Sequence, residues 1–137
     1  LRCQIGVWLS MSPIVAGVPM GASHAIGHIL GGTCDVPHGY CSCVMAPAVL
    51  DFNWEFNEER QRRISECLGD QNERASVLVD KFIRGLDMPR SLAEVGVGPD
   101  QFDVIAKTTM MDFWVGTNPR PIAGPADVRK ILELALS

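Results

Sequence analysis

No stretch of the 137 residues comes near the roughly 20 consecutive apolar positions that a bilayer-crossing helix needs. The most apolar segment, Ile5–Met20, is interrupted by Ser10, Ser12, Pro13, Gly17 and Pro19, so no membrane is expected as a partner. Neither a basic n-region nor a small-residue cleavage site is evident at the start, and no secretory leader is expected. The chain opens on Leu1 rather than Met and is read as cut out of something longer or processed. Basic charge is short: 12 Lys and Arg stand against 16 Asp and Glu, a net charge of −4. Phosphate backbones are bound by a basic face, so nucleic acid is not an expected partner. Arg60, Arg62 and Arg63 alternate with Glu58, Glu59 and Glu66, the pattern of a solvated helix face. The five cysteines (Cys3, Cys34, Cys41, Cys43, Cys67) are odd in number and contain no Cys-x-x-Cys pair. That argues against structural disulfides and a thiolate metal site, and for a reducing, cytoplasmic compartment. Alternating strand patterns are nearly absent. No Gly-rich turn leads into a helix to cradle a pyrophosphate, so nucleotide binding by this chain alone is not expected.

What the chain does hold is helical periodicity and enough apolar residues, 47%, for a packed core. Ala75, Leu78, Val79, Phe82 and Leu86 recur at i, i+3, i+4, i+7 and i+11, and predict one buried stripe. Phe102, Ile105, Ala106, Thr109, Met110 and Phe113 predict a second, and Val128, Ile131, Leu132, Ala135 and Leu136 a third. Ser91 with Glu94 predicts a capping box opening a short helix that Gly96 stops. Pro99 and Pro125 fall where the first residue of a helix belongs. Gly116–Gly124 reads as an irregular connection before the last helix. Three segments, Leu1–Val15, Gly21–Leu30 and Tyr40–Phe52, are apolar around most of their circumference and are expected in the interior. The expectation is one all-α domain over residues 1–137, with about six or seven helices.

All three histidines lie in one stretch, from Gly21-Ala22-Ser23-His24 through His28 to Pro37-His38-Gly39. His24 and His28, four apart on a helix, share a face. The turn signalled by Gly31-Gly32 and Asp35-Val36-Pro37 would fold His38 back over that face. Three converging imidazoles suit a divalent transition metal, and the alternative is a set of hydrogen-bonded core histidines. A zinc peptidase would carry Glu directly after the first histidine, where this chain has Ala25.

The histidine stretch, the apolar segment Ser42–Asn53, and the tail Leu92-Ala93-Glu94-Val95-Gly96, Asp112 and Asn118-Pro119-Arg120-Pro121 closely resemble the iron-containing (group III) alcohol dehydrogenases. The similarity runs in order over essentially the whole chain. The Leu-Gly-Gly-Thr run and the NPRPI tail look most like the maleylacetate reductase branch. The resemblance implies the C-terminal helical, metal-binding domain of the dehydroquinate synthase-like fold, without the N-terminal dinucleotide-binding domain. In that family Fe²⁺, or sometimes Zn²⁺, is held by one Asp and three His, and hydride moves between NAD(P) and an alcohol or carbonyl substrate. By motif position His24 and His38 would be two of the metal ligands, and His28 a non-ligand residue assisting proton transfer. The family's Asp-x-x-x-His helix, which supplies the other two ligands, has no counterpart here, so metal binding by this chain alone is expected to be weak or absent. Asp35 is a carboxylate in the same stretch, but the family gives it no role. Two readings follow: a fragment of an oxidoreductase, or a stand-alone truncated helical domain with a structural or other non-redox role. The apolar N-terminal segment further predicts a homodimer in which these helices pack together or exchange.

Overall fold

The computed structural model describes residues 1–137 and contains helices only: seven α-helices, one of them a single turn, and three short 3-10 turns. In order they are α1 (Arg2–Ser10), α2 (Ser12–Val15), α3 (Ala22–Cys34), α4 (His38–Cys67), α5 (Ala75–Arg84), α6 (Phe102–Thr109) and α7 (Pro125–Leu134). The 3-10 turns span Ala93–Val95, Pro99–Gln101 and Phe113–Thr117. The expected all-α class therefore holds.

Helix α3 lies along α4, with α6 against α3, and α7 packs on both α6 and α4. Between them Ile26, Leu30, Met45, Leu92, Phe102, Ile105, Ile131 and Leu132 are fully buried in one apolar cluster. In α4 the buried set Cys41, Val44, Met45, Ala48, Val49 and Phe52 follows the spacing of a single helix face. Helix α4 is long because a break is bridged: Asn57 leaves helical geometry (φ −144°, ψ 30°), and Gln61 Nε2 donates to Leu50 O and Asn57 Oδ1, each at 2.8 Å. Those bonds tie the residues after the break to the turn before it and to Asn57 itself.

Several expectations hold in detail. Pro125 opens α7 and Pro99 opens the second 3-10 turn. The Ser91–Glu94 capping box is half made: the Ser91 hydroxyl accepts the Glu94 N–H at 3.3 Å, but the Glu94 carboxylate accepts the N–H of Arg90 rather than of Ser91, and Gly96 ends the turn at φ +79°. The third apolar stripe is buried at Val128, Ile131, Leu132 and Ala135.

Others are corrected. The stripe expected in α5 is rotated: Ala75, Ser76 and Ile83 are buried, whereas Phe82 and Leu86 are exposed. Helix α5 touches α4 chiefly, and the polar Ser76 takes an inward place because its hydroxyl donates to Asp51 at 2.7 Å. The second stripe stops with α6 at Thr109, and Phe113, beyond the helix, is exposed. Helices α1 and α2 carry no buried residue, against the expectation that Leu1–Val15 is interior. Their apolar side chains are spread around the axis, so no single face exists to dock on the core, and Gly17 at φ +81° turns the chain between α2 and α3.

Candidate functional site

The site is built on the one face of α3 that the core does not cover. Ala22, Ala25, Ile26, Gly27 and Leu30 point inward, while His24 is half-buried and His28 exposed. Asp35, in the left-handed region at φ 56°, ends α3, and the Val36 N–H closes the turn on Leu30 O at 3.2 Å. Pro37 starts α4 directly, so His38 is the first residue of a helix running back along α3. The ring centroid of His24 is 4.4 Å from that of His28 and 6.2 Å from that of His38. The three imidazoles predicted to converge do so.

A segment from the other end of the chain completes the face. Asp112 Oδ2 is 2.8 Å from His28 Nδ1, and Asp112 Oδ1 accepts the Trp114 N–H at 2.9 Å. The Trp114 ring stands edge-on to His24 at 6.4 Å, with the Phe113 ring 5.2 Å from Trp114. The same segment is tied to the start of α3. Asn118 Oδ1 accepts the Ala22 N–H and Asn53 Nδ2, each at 3.1 Å. Asn118 Nδ2 donates to Asn53 Oδ1 and Arg120 O, each at 2.7 Å. The Thr117 hydroxyl donates to Met20 O. Gly21 is required where the two segments of this clamp meet, since a Cβ there would sit 2.9 Å from Asn118 Oδ1.

The electrostatics favour neutral imidazole at the centre. Burial lowers the His24 pKa, and the neighbouring His28 and His38 lower it further against the opposing pull of Asp112. Burial pushes the Asp112 carboxyl upward, but the hydrogen bonds from His28 and the Trp114 N–H, with the positive charges of His28 and His24, hold it below its usual value. Neutral imidazole is the form that ligates a metal. Nowhere do three His, Cys, Asp or Glu side chains stand so as to hold a metal ion jointly. The imidazoles of His24 and His38 are donors of the kind that divalent transition metals take, two in number on this face. Asp35 caps α3 from its C-terminal end, and no hydrogen bond joins its side chain to the histidine face. Spacing alone does not single out Asp112 or Trp114 as site residues: 84 positions separate Asp112 from His28, and no periodic signal links them.

The sequence profile described as the Fe-containing alcohol dehydrogenase family, C-terminal, matches residues 6–136, and the chain belongs to that family. The NAD-dependent methanol dehydrogenase of Bacillus methanolicus is 32% identical over 126 residues, 85% of this chain and 33% of that protein. Among solved structures, a 1,3-propanediol oxidoreductase superposes with a TM-score of 0.79 at 27% identity, covering 85% of this chain and 32% of that one. The maleylacetate reductase of Agrobacterium tumefaciens superposes with a TM-score of 0.72 at 30% identity and the same coverage. The chain spans about a third of the length of the relatives it matches, and corresponds to their C-terminal part. Relatives of both kinds, alcohol dehydrogenases and maleylacetate reductases, are thus represented.

Proposed function

We propose that this chain forms the metal- and substrate-facing wall of an alcohol dehydrogenase that transfers hydride between NAD(P) and a small alcohol or carbonyl compound. The observation that carries the reading is the convergence of His24, His28 and His38 on one uncovered helix face. His24 and His38 would contribute two imidazole ligands, and the remaining ligands and the nucleotide site would come from outside this chain. Fe²⁺ or Zn²⁺, when bound, supplies Lewis-acid polarisation of the substrate oxygen. His28, held at Nδ1 by Asp112, would take the hydroxyl proton of the alcohol, and a nicotinamide held from outside this chain would accept the C–H hydride, leaving the carbonyl product. Trp114 and Phe113 wall the same face with apolar surface, which suits a small organic substrate and keeps water from the reacting oxygen.

The exposed α1–α2 segment supports a further element of the reading, a homodimer. Leu1, Val7, Trp8, Leu9, Val15 and Val18 are all more than half exposed, a patch of the kind that soluble proteins cover. The same segment of a second copy, related by a two-fold axis, would cover it. Free thiols at all five cysteines fit a reducing, cytoplasmic compartment.

The functional test is a hybrid in which the nucleotide-binding part of the Bacillus methanolicus methanol dehydrogenase is joined to this chain. Alcohol-dependent NAD reduction is expected from the hybrid and not from this chain alone. A well-folded hybrid without activity, or nicotinamide reduction by the chain alone, contradicts the reading.

A further inference from the structure

We infer that Asp112 is a positioning residue that locks His28 in the Nδ1–H tautomer, so that Nε2 is the nitrogen presented with a free lone pair to a bound hydroxyl. A carboxylate only accepts hydrogen bonds, so the proton in the 2.8 Å contact between Asp112 Oδ2 and His28 Nδ1 belongs to the ring nitrogen. A neutral imidazole has one N–H; with it on Nδ1, Nε2 on the opposite side of the ring must be the acceptor. The Asp112 side chain is 14% exposed and that of His28 42%, which places the carboxylate on the protein side and leaves the rest of the ring open.

The carboxylate is itself held from both directions. Its second oxygen accepts the Trp114 N–H at 2.9 Å, fixing its rotamer at the start of the Phe113–Thr117 turn. The segment carrying it is a strap laid against α3. Asn118 grips the Ala22 N–H at one end and Asp112 grips His28 at the other, and the two contacts are six positions apart on both segments. A helix rises about 1.5 Å per residue, so the two anchors stand about 9 Å apart and fix the register of the strap. Asp112 therefore meets residue 28 rather than His24, whose ring is bounded by Trp114 and His38. One imidazole is assigned to proton acceptance, and His24 and His38 are left with no carboxylate partner among their hydrogen bonds.

The assignment rests on the proposed dehydrogenase reading only for what Nε2 does; the tautomer is a property of this chain by itself. It is read by ¹⁵N–¹H correlation of the imidazole nitrogens in the uniformly ¹⁵N-labelled chain, at a pH where the rings are neutral. His28 is expected to show the Nδ1–H pattern. Asp112→Ala is expected to move it to the Nε2–H form that free histidine prefers, with the His24 and His38 signals keeping their tautomers. Local unfolding would free His28 as well, but it would also disturb the His24 and His38 signals, which a lost tautomer lock alone leaves in place. An Nε2–H pattern for His28 in the unaltered chain overturns the inference whether or not the variant folds, and so does an unchanged Nδ1–H pattern in a folded Asp112→Ala chain. An inactive hybrid enzyme with His28 in the Nδ1–H form would sink the dehydrogenase reading and leave this one standing.

Discussion

Asn118 and Asn53 form a reciprocal amide pair: each side chain donates to the other's carbonyl oxygen, at 2.7 and 3.1 Å, while Asn118 also accepts the first free N–H of α3. Sixty-five positions apart, the two residues bind the segment that carries Asp112 to α4, while the bond from the Ala22 N–H ties the same Asn118 to α3, which carries His24 and His28. Buried polar groups left without partners cost about 1–3 kcal/mol each. Asn118→Ala strands both Asn53 and the Ala22 N–H, and a loss of about 2–4 kcal/mol in urea unfolding is expected. A loss under about 0.5 kcal/mol, the range of an ordinary surface substitution, would show that the clamp is not what holds the strap.

Gly21→Ala tests the same junction from the other side. The added Cβ falls 2.9 Å from Asn118 Oδ1, closer than real contacts allow, so Asn118 must shift off its partners. A destabilisation of about 1–3 kcal/mol is expected, as for other overpacked sites. Gly32→Ala, where a Cβ meets nothing within 4 Å, is the control and is expected to be neutral or slightly stabilising.

The rotated face of α5 has its own consequence. Phe82 is 59% exposed and Ile83 8% exposed, although the apolar spacing of the sequence favours Phe82 as the inward residue. Phe82→Ser is expected to change stability by no more than about 0.5 kcal/mol, and Ile83→Ala to cost about 2–4 kcal/mol. The reverse ordering in chemical unfolding contradicts the placement of α5.

How much of this is legible in the residues divides along physical lines. The α7 stripe from Val128 to Ala135 is readable because one helix face meets one core. The histidine turn is readable because Asp35-Val36-Pro37 is local chemistry that fixes where His38 points. Asp112 is visible only as part of a family pattern, because its contact with His28 depends on tertiary packing that no local period encodes. The inward face of α5 is hidden because Ser76 is polar and yet buried, its hydroxyl satisfied by Asp51 on a neighbouring helix. The exposure of α1 and α2 is hidden because apolar composition predicts burial without saying what does the covering.

Acid is expected to unfold the chain from two directions. His24 is held below its ordinary value of 6.5, first by burial and then by the charges of His28 and His38, so the unfolded chain takes up that proton more readily. Its contribution favours unfolding as pH falls below about 6.5 and vanishes above that value. Asp112 has a lowered pKa, so its stabilisation is present above the ordinary 3.8 and is lost as pH falls through the lower folded value. Unfolding midpoints in urea should be level around neutrality, decline steadily from mildly to strongly acidic solution, and fall again above about pH 9, where burial raises the thiols of Cys34 and Cys41. In His24→Ala the decline nearest about pH 6 should be shallower; an unchanged slope there contradicts the burial of His24.

Light scattering decides the dimer. The expected mass is twice the 14.9 kDa of one chain, and Trp8→Glu, placing charge on a residue 76% exposed, should return it to the single-chain value. A single-chain mass for the unaltered protein at micromolar concentration rules the dimer out.

The division of labour proposed for the three imidazoles, metal ligation by two and proton acceptance by one, is tested most directly by zinc titration in a calorimeter. Two ligands of an incomplete set should bind Zn²⁺ only weakly. That binding is expected to disappear in His24→Ala and in His38→Ala and to persist in His28→Ala, whose ring is engaged with Asp112. Binding that survives loss of His24 or His38, or that requires His28, contradicts the assignment of His24 and His38 as ligands and His28 as proton acceptor.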